Sequence, residues 1–404
     1  MNILFLALSF STREHKSFYE DLLREFQNNG DQIYVACANE KRSTEKDGIE
    51  ISDEMEILRI RTGNITGSVS IIEKGLSTIS VDALFKKAVC KNWGNIKFDL
   101  IIYPTPPITL VNTIEYVKKK TGAKTYLLLK DIFPQNAVDL GMMSKTGVKS
   151  FIYKYFRAKE KRLYHISDYI GCMSPANCEY VIKHNPEIDK DKLEVCPNCV
   201  VPNEKKIIEK DLVVVRTKYG IPTDKKVFVY GGNLGKPQGV NFVLECLEKC
   251  KDINDAFFLI VGGGTEVGKI KTTIDNKKIN NAKYIETLPK QDYQLLANSS
   301  DVGLIFLDYR FTIPNFPSRL LSTLQASIPV IVASDPATDM GDIVVNNGFG
   351  WKCMSNDSDA FVDCVNKALV ADLKTMGEKG HSYLMENYTV QRGHDIIMKH
   401  MDML

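Results

Sequence analysis

Three glycines within residues 231–235 form the turn with the clearest chemical potential in this chain of 404 residues. The apolar run Val227–Tyr230 precedes the turn, and a helical apolar pattern begins at Gly239. A buried strand, a tight turn and a helix start present backbone N–H groups and partial positive charge, which suit an anion such as a diphosphate. Lys236 could add a full charge. The alternative is an ordinary strand-to-helix turn that binds no ligand.

The glycine spacing excludes two common phosphate-binding motifs. The dinucleotide fingerprint G-x-G-x-x-G cannot be written through Gly231–Gly239, and no P-loop sequence G-x-x-x-x-G-K-[ST] occurs.

A second candidate anion site lies at the start of another helical pattern. Ser318 could cap this helix, and Arg319 would then lie in its first turn. A cation at that position opposes the helix dipole unless an anion occupies the site. The two stretches together therefore favour a diphosphate ligand.

Asp131 is the candidate acid or base on a different part of the chain. It follows the apolar strand Lys124–Lys130 directly, and Gln135 and Asn136 come next. Ligands of parallel sheets bind beyond the carboxyl ends of the strands, where Asp131 would lie. Asp131 could instead cap the helix that follows. The loops Ser9–Lys16 and Pro104–Pro107 leave strands at the same edge.

Alternation of strands and helices organises both halves of the chain. In the first half, Asn2–Leu8, Gln32–Ala38 and Leu100–Pro104 are predicted strands, with helical patterns between strands. The second half repeats the alternation after a polar stretch with two prolines near 197–209. This pattern predicts two doubly wound parallel sheets, an α/β fold.

Composition limits the function classes. Apolar residues make up 44% and charged residues 25% of the chain, as in soluble globular proteins. The net charge of +2 argues against nucleic-acid binding, and no apolar run reaches the ~18 residues that a membrane span needs. Ten cysteines without paired spacing indicate free thiols in the cytoplasm. We interpret the lone C-x-x-C at Cys196–Cys199 and the D-x-D at Asp189–Asp191 as chance, so no metal and no cofactor are predicted.

The segment Lys145–Ser167 is strongly basic. Seven lysines and arginines accompany one acid, Glu160, with aromatic residues between them. An amphipathic basic helix of this kind can attach to an anionic membrane surface, although a solvated basic face is the alternative.

The motifs together resemble those of retaining family-4 glycosyltransferases of the GT-B fold. Phe316–Ala333 is similar to their P-S-K-x-L…A-x-G-x-P-V-I-A segment, Gly231–Gly239 to G-N-x-G-x-x-Q-G, and Val261–Glu266 to V-G-x-G-x-E. The region from Leu288 to Gly303 resembles their base-binding loop and the strand after it. Asp131–Gly141 is similar to a segment of bacterial capsule and O-antigen enzymes that transfer N-acetylfucosamine-type sugars.

The chain departs from this family at two carboxylates. The family often carries a Glu-x7-Glu pair, and the matching positions here are Pro314 and Ser322. Arg319 stands where the family usually has lysine. The substitution keeps the positive charge, and the planar guanidinium adds paired N–H donors whose geometry matches phosphate.

The resemblance implies two Rossmann-like domains facing across a cleft. We expect residues 1–200, completed by a C-terminal helix 386–404, to bind the acceptor, residues 201–222 to form a linker, and residues 223–385 to bind the donor. The implied reaction is metal-independent, retaining transfer from a nucleotide-diphosphate sugar, such as a UDP-N-acetylamino sugar, to a polyprenyl-diphosphate-linked glycan. Such a protein would be cytoplasmic and could attach peripherally to the inner face of the membrane.

The implied site residues fall into three groups. Arg319 and Lys236 would stabilise the leaving diphosphate, and Asp131 would orient or deprotonate the acceptor. The nucleotide sugar would contact Gly231, Gly232, Asn233, Gly235, Gln238, Gly239, Gly262, Gly263, Leu288, Pro317, Ser318, Leu320 and Ser322. The acceptor would contact Ser11, Thr12, Arg13, His15, Pro106, Gln135 and Asn136.

Two other functions stay open from the sequence. The missing carboxylates would fit a catalytically silent GT-B subunit of a transferase complex. A sugar-nucleotide 2-epimerase of the same fold is less well supported, because no cluster of acid and base side chains surrounds the expected sugar position.

Overall fold

A computed structural model describes residues 1–11, 18–65, 71–148, 150–203 and 209–401. The chain divides into two compact units. Unit 1 comprises Met1–Val200 and Val390–Leu404, and unit 2 comprises Val201–Thr389.

Unit 1 is built on an eight-stranded sheet with the order β3-β4-β2-β1-β5-β6-β7-β8. All neighbouring strands are parallel except β3, which pairs antiparallel with β4 at one edge. The strands are β1 (Asn2–Ala7), β2 (Gln32–Glu40), β3 (Gly48–Ser52), β4 (Met55–Thr62), β5 (Leu100–Pro104), β6 (Lys124–Leu129), β7 (Tyr169–Cys172) and β8 (Leu193–Val195).

Helices cover both faces of this sheet, as expected for a doubly wound fold. They are α1 (Phe18–Asn28), α2 (Ile71–Trp93), α3 (Val111–Thr121), α4 (Gln135–Asp139), α5 (Ser150–Ile166), α6 (Pro175–His184) and, from the end of the chain, α15 (Val390–Met398). Apolar residues of α1 and α15 share one buried cluster, and those of α2, α3 and α5 share another.

Unit 2 is built on a six-stranded parallel sheet with the order β11-β10-β9-β12-β13-β14. Its strands are β9 (Lys226–Gly231), β10 (Ala256–Val261), β11 (Ala282–Ile285), β12 (Val302–Phe306), β13 (Val330–Ser334) and β14 (Gly350–Met354). Its helices are α7 (Glu209–Lys218), α8 (Val240–Lys249), α9 (Val267–Asn276), α10 (Lys290–Asn298), α11 (Arg319–Gln325), α12 (Met340–Asn346), α13 (Ser358–Val370) and α14 (Leu373–Asn387). The order reverses at β9, so the glycine turn lies where ligands bind in open α/β sheets.

Two predicted boundaries need correction. The proposed linker 201–222 contains α7, which packs in unit 2: Arg216 donates to Asp301 at 2.7 Å and to the Ser299 carbonyl at 2.6 Å. The proposed closing helix 386–404 is divided, because Glu386 and Asn387 end α14 whereas α15 begins only at Val390. Residues 402–404 lie outside the described residues.

The β3–β4 hairpin, α2 and β14 were not predicted. The hairpin turns at Asp53 and Glu54, which both have positive φ angles. Glycine or asparagine usually signals such a turn, and here neither is present. No helix among the described ranges is both long and apolar enough to cross a membrane.

Candidate nucleotide-sugar and acceptor sites

Two glycine loops of unit 2 pack edge to edge at the carboxyl ends of β9 and β10. The Gly232 N–H donates to the Val261 carbonyl at 3.0 Å, and the Leu234 N–H donates to the Gly263 carbonyl at 2.8 Å. Gly262 has a φ angle of +144°, and a Cβ there would overlap the Gly232 carbonyl oxygen. Glycine is therefore needed for the two backbones to approach.

Gln238 shapes the turn from inside. Its buried Oε1 accepts from the Gly235 N–H at 3.1 Å and from Asn233 Nδ2 at 3.2 Å. This side chain therefore holds the loop in position. Gly239, with a φ angle of +58°, ends the turn just before α8. Lys236 is exposed, and among the described residues its side chain forms no hydrogen bond or ion pair, although its carbonyl accepts from the Gly239 N–H at 3.0 Å.

The guanidinium of Arg319 lies against the glycine turn. Its Cζ is 4.5 Å from the ring centroid of Tyr230, and a Cβ on Gly232 would be 3.5 Å from its Nη2. Nη1 is buried and has no hydrogen-bond partner within the described part of the chain. A buried unpaired donor is costly, and an anion at this position would satisfy it. Burial raises the pKa of Tyr230, and the positive charge of Arg319 opposes that rise.

Tyr293 completes this cluster and was not predicted. A Cβ on Gly231 would overlap the Tyr293 hydroxyl, so the Tyr293 ring fits here only because residue 231 is glycine. Burial raises the pKa of Tyr293 to about 12, so the phenol is neutral and can donate a hydrogen bond. Tyr293 lies on α10, far along the chain from Gly231, and sequence spacing gave no sign of the contact.

Other predicted donor-site residues have different environments. Ser318 occupies the N-cap position of α11, but its side chain makes no capping bond. Leu320 is fully buried in the core, so its side chain is not available to a ligand. Leu288, Pro317 and Ser322 are partly exposed, and Gly263 packs beside Thr287. The backbone of Pro314 is also buried, and neither it nor Ser322 supplies a carboxylate.

Asp131 of unit 1 is held by two neighbouring polar residues. Its Oδ2 accepts from Asn136 Nδ2 at 2.6 Å, and its N–H donates to Thr105 Oγ1 at 3.1 Å. The N-cap residue of α4 is Pro134, so the carboxylate of Asp131 does not cap that helix. Thr105, which was not predicted, also accepts from the Lys130 N–H at 3.0 Å. It thereby joins the ends of β5 and β6.

The environment of Asp131 brings its titration close to neutral pH. Desolvation by burial raises the pKa of Asp131 to about 6, and the charge of Glu160 adds to the rise. Hydrogen bonds from the Ile132 backbone and from Asn136 act in the opposite direction. A carboxylate with this pKa is a stronger base than an ordinary aspartate and remains mostly ionised at neutral pH.

The remaining acceptor-side predictions are only partly described. Thr12, Arg13 and His15 lie outside the described residues, and Ser11 is partly buried. Pro106 is exposed, and Gln135 donates to Asp139 at 2.6 Å. Asp189 accepts from the Asp191 N–H at 3.0 Å, an ordinary local turn. Within the described ranges, no three His, Cys, Asp or Glu side chains could together hold a metal ion.

Unit 2 matches a known family over most of its length. Residues 214–382, most of unit 2, match the profile described as Glycosyl transferases group 1. The profile covers less than half of the chain, and it supports a glycosyltransferase.

Two relatives are named as glycosyltransferases, and solved structures share the fold of the chain. The transferase is 25% identical to the probable glycosyltransferase WbjE of Pseudomonas aeruginosa over 79% of this chain and 78% of that protein. It is 22% identical to the putative colanic acid biosynthesis glycosyl transferase WcaI of Escherichia coli K12, over 66% and 64% of the two chains. Anabaena Alr3699/HepE, solved in complex with UDP and glucose, superposes with a TM-score of 0.73 at 14% identity over 100% of both chains. The predicted GT-B class of α/β fold, with two parallel sheets, is thereby confirmed.

The basic segment of the transferase is less uniformly charged than its sequence suggested. Glu160 is buried, where it accepts from Arg157 at 2.5 Å, so it does not face the solvent. Arg162 bonds Glu115, and Lys161 lies 2.9 Å from Glu187. Lys149 lies outside the described residues. Lys145, Lys154 and Lys159 form no ion pair with any carboxylate in the described ranges.

Proposed function

We propose that this transferase moves a sugar from a nucleotide-diphosphate donor, such as a UDP-N-acetylamino sugar, to a polyprenyl-diphosphate-linked glycan. The observation that carries the proposal is the buried Nη1 of Arg319 beside the Gly231–Gly235 turn, which has no hydrogen-bond partner among the described residues. Backbone N–H groups of the turn and the Arg319 fork suit a diphosphate, which is also the leaving group. The complex of HepE with UDP and glucose supports a UDP-sugar as the donor.

The proposed reaction is retaining and metal-independent. Arg319, with Lys236 at the rim of the turn, would stabilise the charge that develops on the leaving diphosphate. In a front-face reaction the leaving phosphate can accept the proton of the acceptor hydroxyl, so carboxylates at Pro314 and Ser322 are not required. Retention itself follows from the family resemblance.

The proposed acceptor site lies around Asp131 in unit 1. Its carboxylate is fixed by Asn136 and the Thr105 loop, and its raised pKa suits a group that orients or partly deprotonates a hydroxyl. The name of WcaI supports an acceptor in bacterial surface polysaccharide synthesis, such as capsule or O-antigen.

A lipid-linked acceptor would require the protein to reach a membrane. Apolar side chains are exposed around the start of α5, with 92% of Val148 and 64% of Phe151 accessible. We define the α5 surface as these two residues with Met142, Ile152, Tyr155, Lys145, Lys154 and Lys159. Exposed apolar and aromatic groups among unpaired lysines suit the interface of an anionic membrane. We propose peripheral attachment to the inner face of the plasma membrane through this surface.

A thermal-shift panel of UDP-, GDP-, dTDP- and ADP-sugars tests the donor assignment. A ligand of the native state raises Tm by mass action, so one nucleotide series should raise Tm and the others should not. Arg319→Ala should abolish most of that rise. A panel in which no nucleotide sugar changes Tm contradicts the proposal. Product analysis without an acceptor then separates transfer from epimerisation, because an epimerase converts the donor sugar alone.

A further inference from the structure

A pocket of about 400 Å³ lies between α2, α3 and α5 of unit 1. Its rim includes three lysines, Lys86, Lys119 and Lys159, and two exposed apolar side chains, Ile79 and Tyr155. The proposed donor and acceptor sites use none of these residues. The pocket is therefore an additional candidate site.

Two of the three lysines are not bound to a carboxylate. The Nζ of Lys86 lies 4.9 Å from the ring centroid of Tyr116, and the Nζ of Lys159 lies 5.7 Å from that of Tyr155. Within the described ranges no acidic side chain pairs with either. Both ammonium groups therefore keep hydrogen-bond donors for an anion.

The acidic residues of the pocket are already engaged. Asp82 is buried and accepts from the backbone N–H groups of Asn112 and Thr113 and from the Thr113 hydroxyl, at 2.7–3.0 Å. Glu115 pairs with Lys119 at 3.0 Å and also with Arg162. Bonds from Lys119 and Arg162 lower the pKa of Glu115. Glu115 is therefore compensated by two cations. Asp82 keeps its negative charge, although its oxygens are occupied by hydrogen bonds, so positive charge still exceeds negative charge around the pocket.

Thr109 provides independent evidence for a ligand. Its side chain lines the pocket and is only 3% exposed, yet its Oγ1 has no hydrogen-bond partner among the described residues. Buried hydroxyls are nearly always paired, so a hydroxyl that has no partner among the described residues is available to a bound ligand. A phosphate oxygen, which accepts hydrogen bonds strongly, fits a hydroxyl donor beside two ammonium groups.

The pocket is continuous with the α5 surface, since Tyr155 and Lys159 belong to both. Ile79, which is 61% exposed, extends the apolar rim onto α2. A ligand with a phosphate group and an attached hydrocarbon chain would match this combination of lysines, hydroxyl and exposed apolar groups.

We propose that the pocket between α2, α3 and α5 binds the phosphate headgroup of a membrane lipid. Lys86 and Lys159 would contact the phosphate charge, and the Thr109 hydroxyl would donate to one of its oxygens. This inference rests on the proposed membrane attachment and adds to it a specific headgroup site.

The test is flotation of the full-length protein with vesicles of phosphatidylcholine, with and without phosphatidic acid. Thr109→Val keeps the shape and charge of the side chain but removes the hydroxyl. It should weaken binding to phosphatidic-acid vesicles by about tenfold or more, because a hydrogen bond to a charged group is lost. Its Tm without vesicles should not fall, because the hydroxyl has no hydrogen-bond partner in the part of the chain that the structure describes.

A matched pair of lysine variants tests the charge. Lys86→Gln should weaken vesicle binding about tenfold, because it removes a proposed contact with the phosphate. Lys87→Gln should weaken vesicle binding at most about fivefold, because it removes only the general attraction of a surface charge to the anionic membrane. Lys87 is the next residue on α2, is also exposed and does not line the pocket.

Three results would overturn the proposal. Equal binding of the wild type and Thr109→Val would show that the pocket does not hold the headgroup, even if attachment by the α5 surface stands. A Tm rise with inorganic phosphate that Thr109→Val abolishes, without an effect on flotation, would show a site for soluble phosphate. Failure of the wild type to float would refute membrane attachment and the pocket ligand together. Nucleotide-sugar binding, measured separately, would still test the donor site.

Discussion

Replacing Arg319 by alanine separates the catalytic contribution of this residue from its structural one. In the unliganded protein, Arg319 stacks on Tyr230, and its buried Nη1 makes no hydrogen bond within the described part of the chain. Folding should therefore lose only the stacking contact, about 0.5–2 kcal/mol, and Tm should fall by a few degrees. Loss of a preorganised donor to a developing anion costs about 3–4 kcal/mol in the transition state.

We therefore expect Arg319→Ala to reduce turnover by about two to three orders of magnitude. Arg319→Lys should reduce turnover less than Arg319→Ala, because the positive charge remains and only the paired N–H donors of the guanidinium are removed. The assay is release of the nucleoside diphosphate from the donor identified by thermal shift, with kcat and KM measured separately and a membrane lipid extract as acceptor source.

Lys249→Ala is the matched control, since it removes a charge from unit 2 at the far end of α8, where Lys249 pairs with the exposed Asp359. This variant should keep wild-type turnover. Near-wild-type turnover in Arg319→Ala would refute the assignment of Arg319 to the diphosphate. A large fall in Tm of the unliganded variant would instead show that the residue acts mainly in folding.

Three further predictions follow from the same sites. Turnover should persist in excess EDTA, and activity that disappears with chelator and returns with Mg²⁺ or Mn²⁺ would contradict the metal-independent proposal. Flotation with anionic vesicles should weaken at high salt, at roughly 1 kcal/mol for each lysine near the surface, whereas equal recovery on neutral vesicles would favour a solvated face. Asp131→Asn should lower kcat with unchanged donor affinity, and wild-type kcat should fall below pH about 6, where Asp131 becomes protonated. Folding raises the pKa of Asp131, so the free energy of unfolding falls as pH rises from about 4 toward about 6 and the carboxylate ionises. Above that range, Asp131→Asn should therefore be more stable than the wild type. Full activity in Asp131→Asn would place the acceptor base elsewhere.

The sequence alone was sufficient to predict the alternation of elements and to propose an anion site. Apolar runs such as Val227–Tyr230 and Phe257–Val261 are buried strands because a parallel sheet covered on both faces needs continuous apolar sequence. The glycine turn after β9 was recognisable because tight turns and close backbone approach demand glycine locally. Arg319 was proposed as an anion ligand because a cation in the first turn of a helix is unfavourable without an anion.

Local sequence was not sufficient where an element is determined by distant partners. The polar stretch before α7 resembled a linker, but Arg216 of α7 bonds Asp301, and this partner lies 85 residues away. Gln238 was expected to contact the ligand, whereas its buried amide holds Gly235 and Asn233. Ser318 was expected to cap α11, and the structure shows no such bond.

Only the tertiary structure could decide what surrounds each candidate side chain. Tyr293 packs on Gly231, and Thr105 fixes the backbone of Asp131, through contacts between segments that are not adjacent in sequence. Burial is likewise a property of the folded chain. It raises the pKa of Asp131 to about 6, and it leaves the Thr109 hydroxyl without a hydrogen-bond partner among the described residues. Residue types and spacing determine which chemical groups the chain can offer to a ligand. Packing determines whether each of those groups is solvated, bound to another residue or available to a ligand.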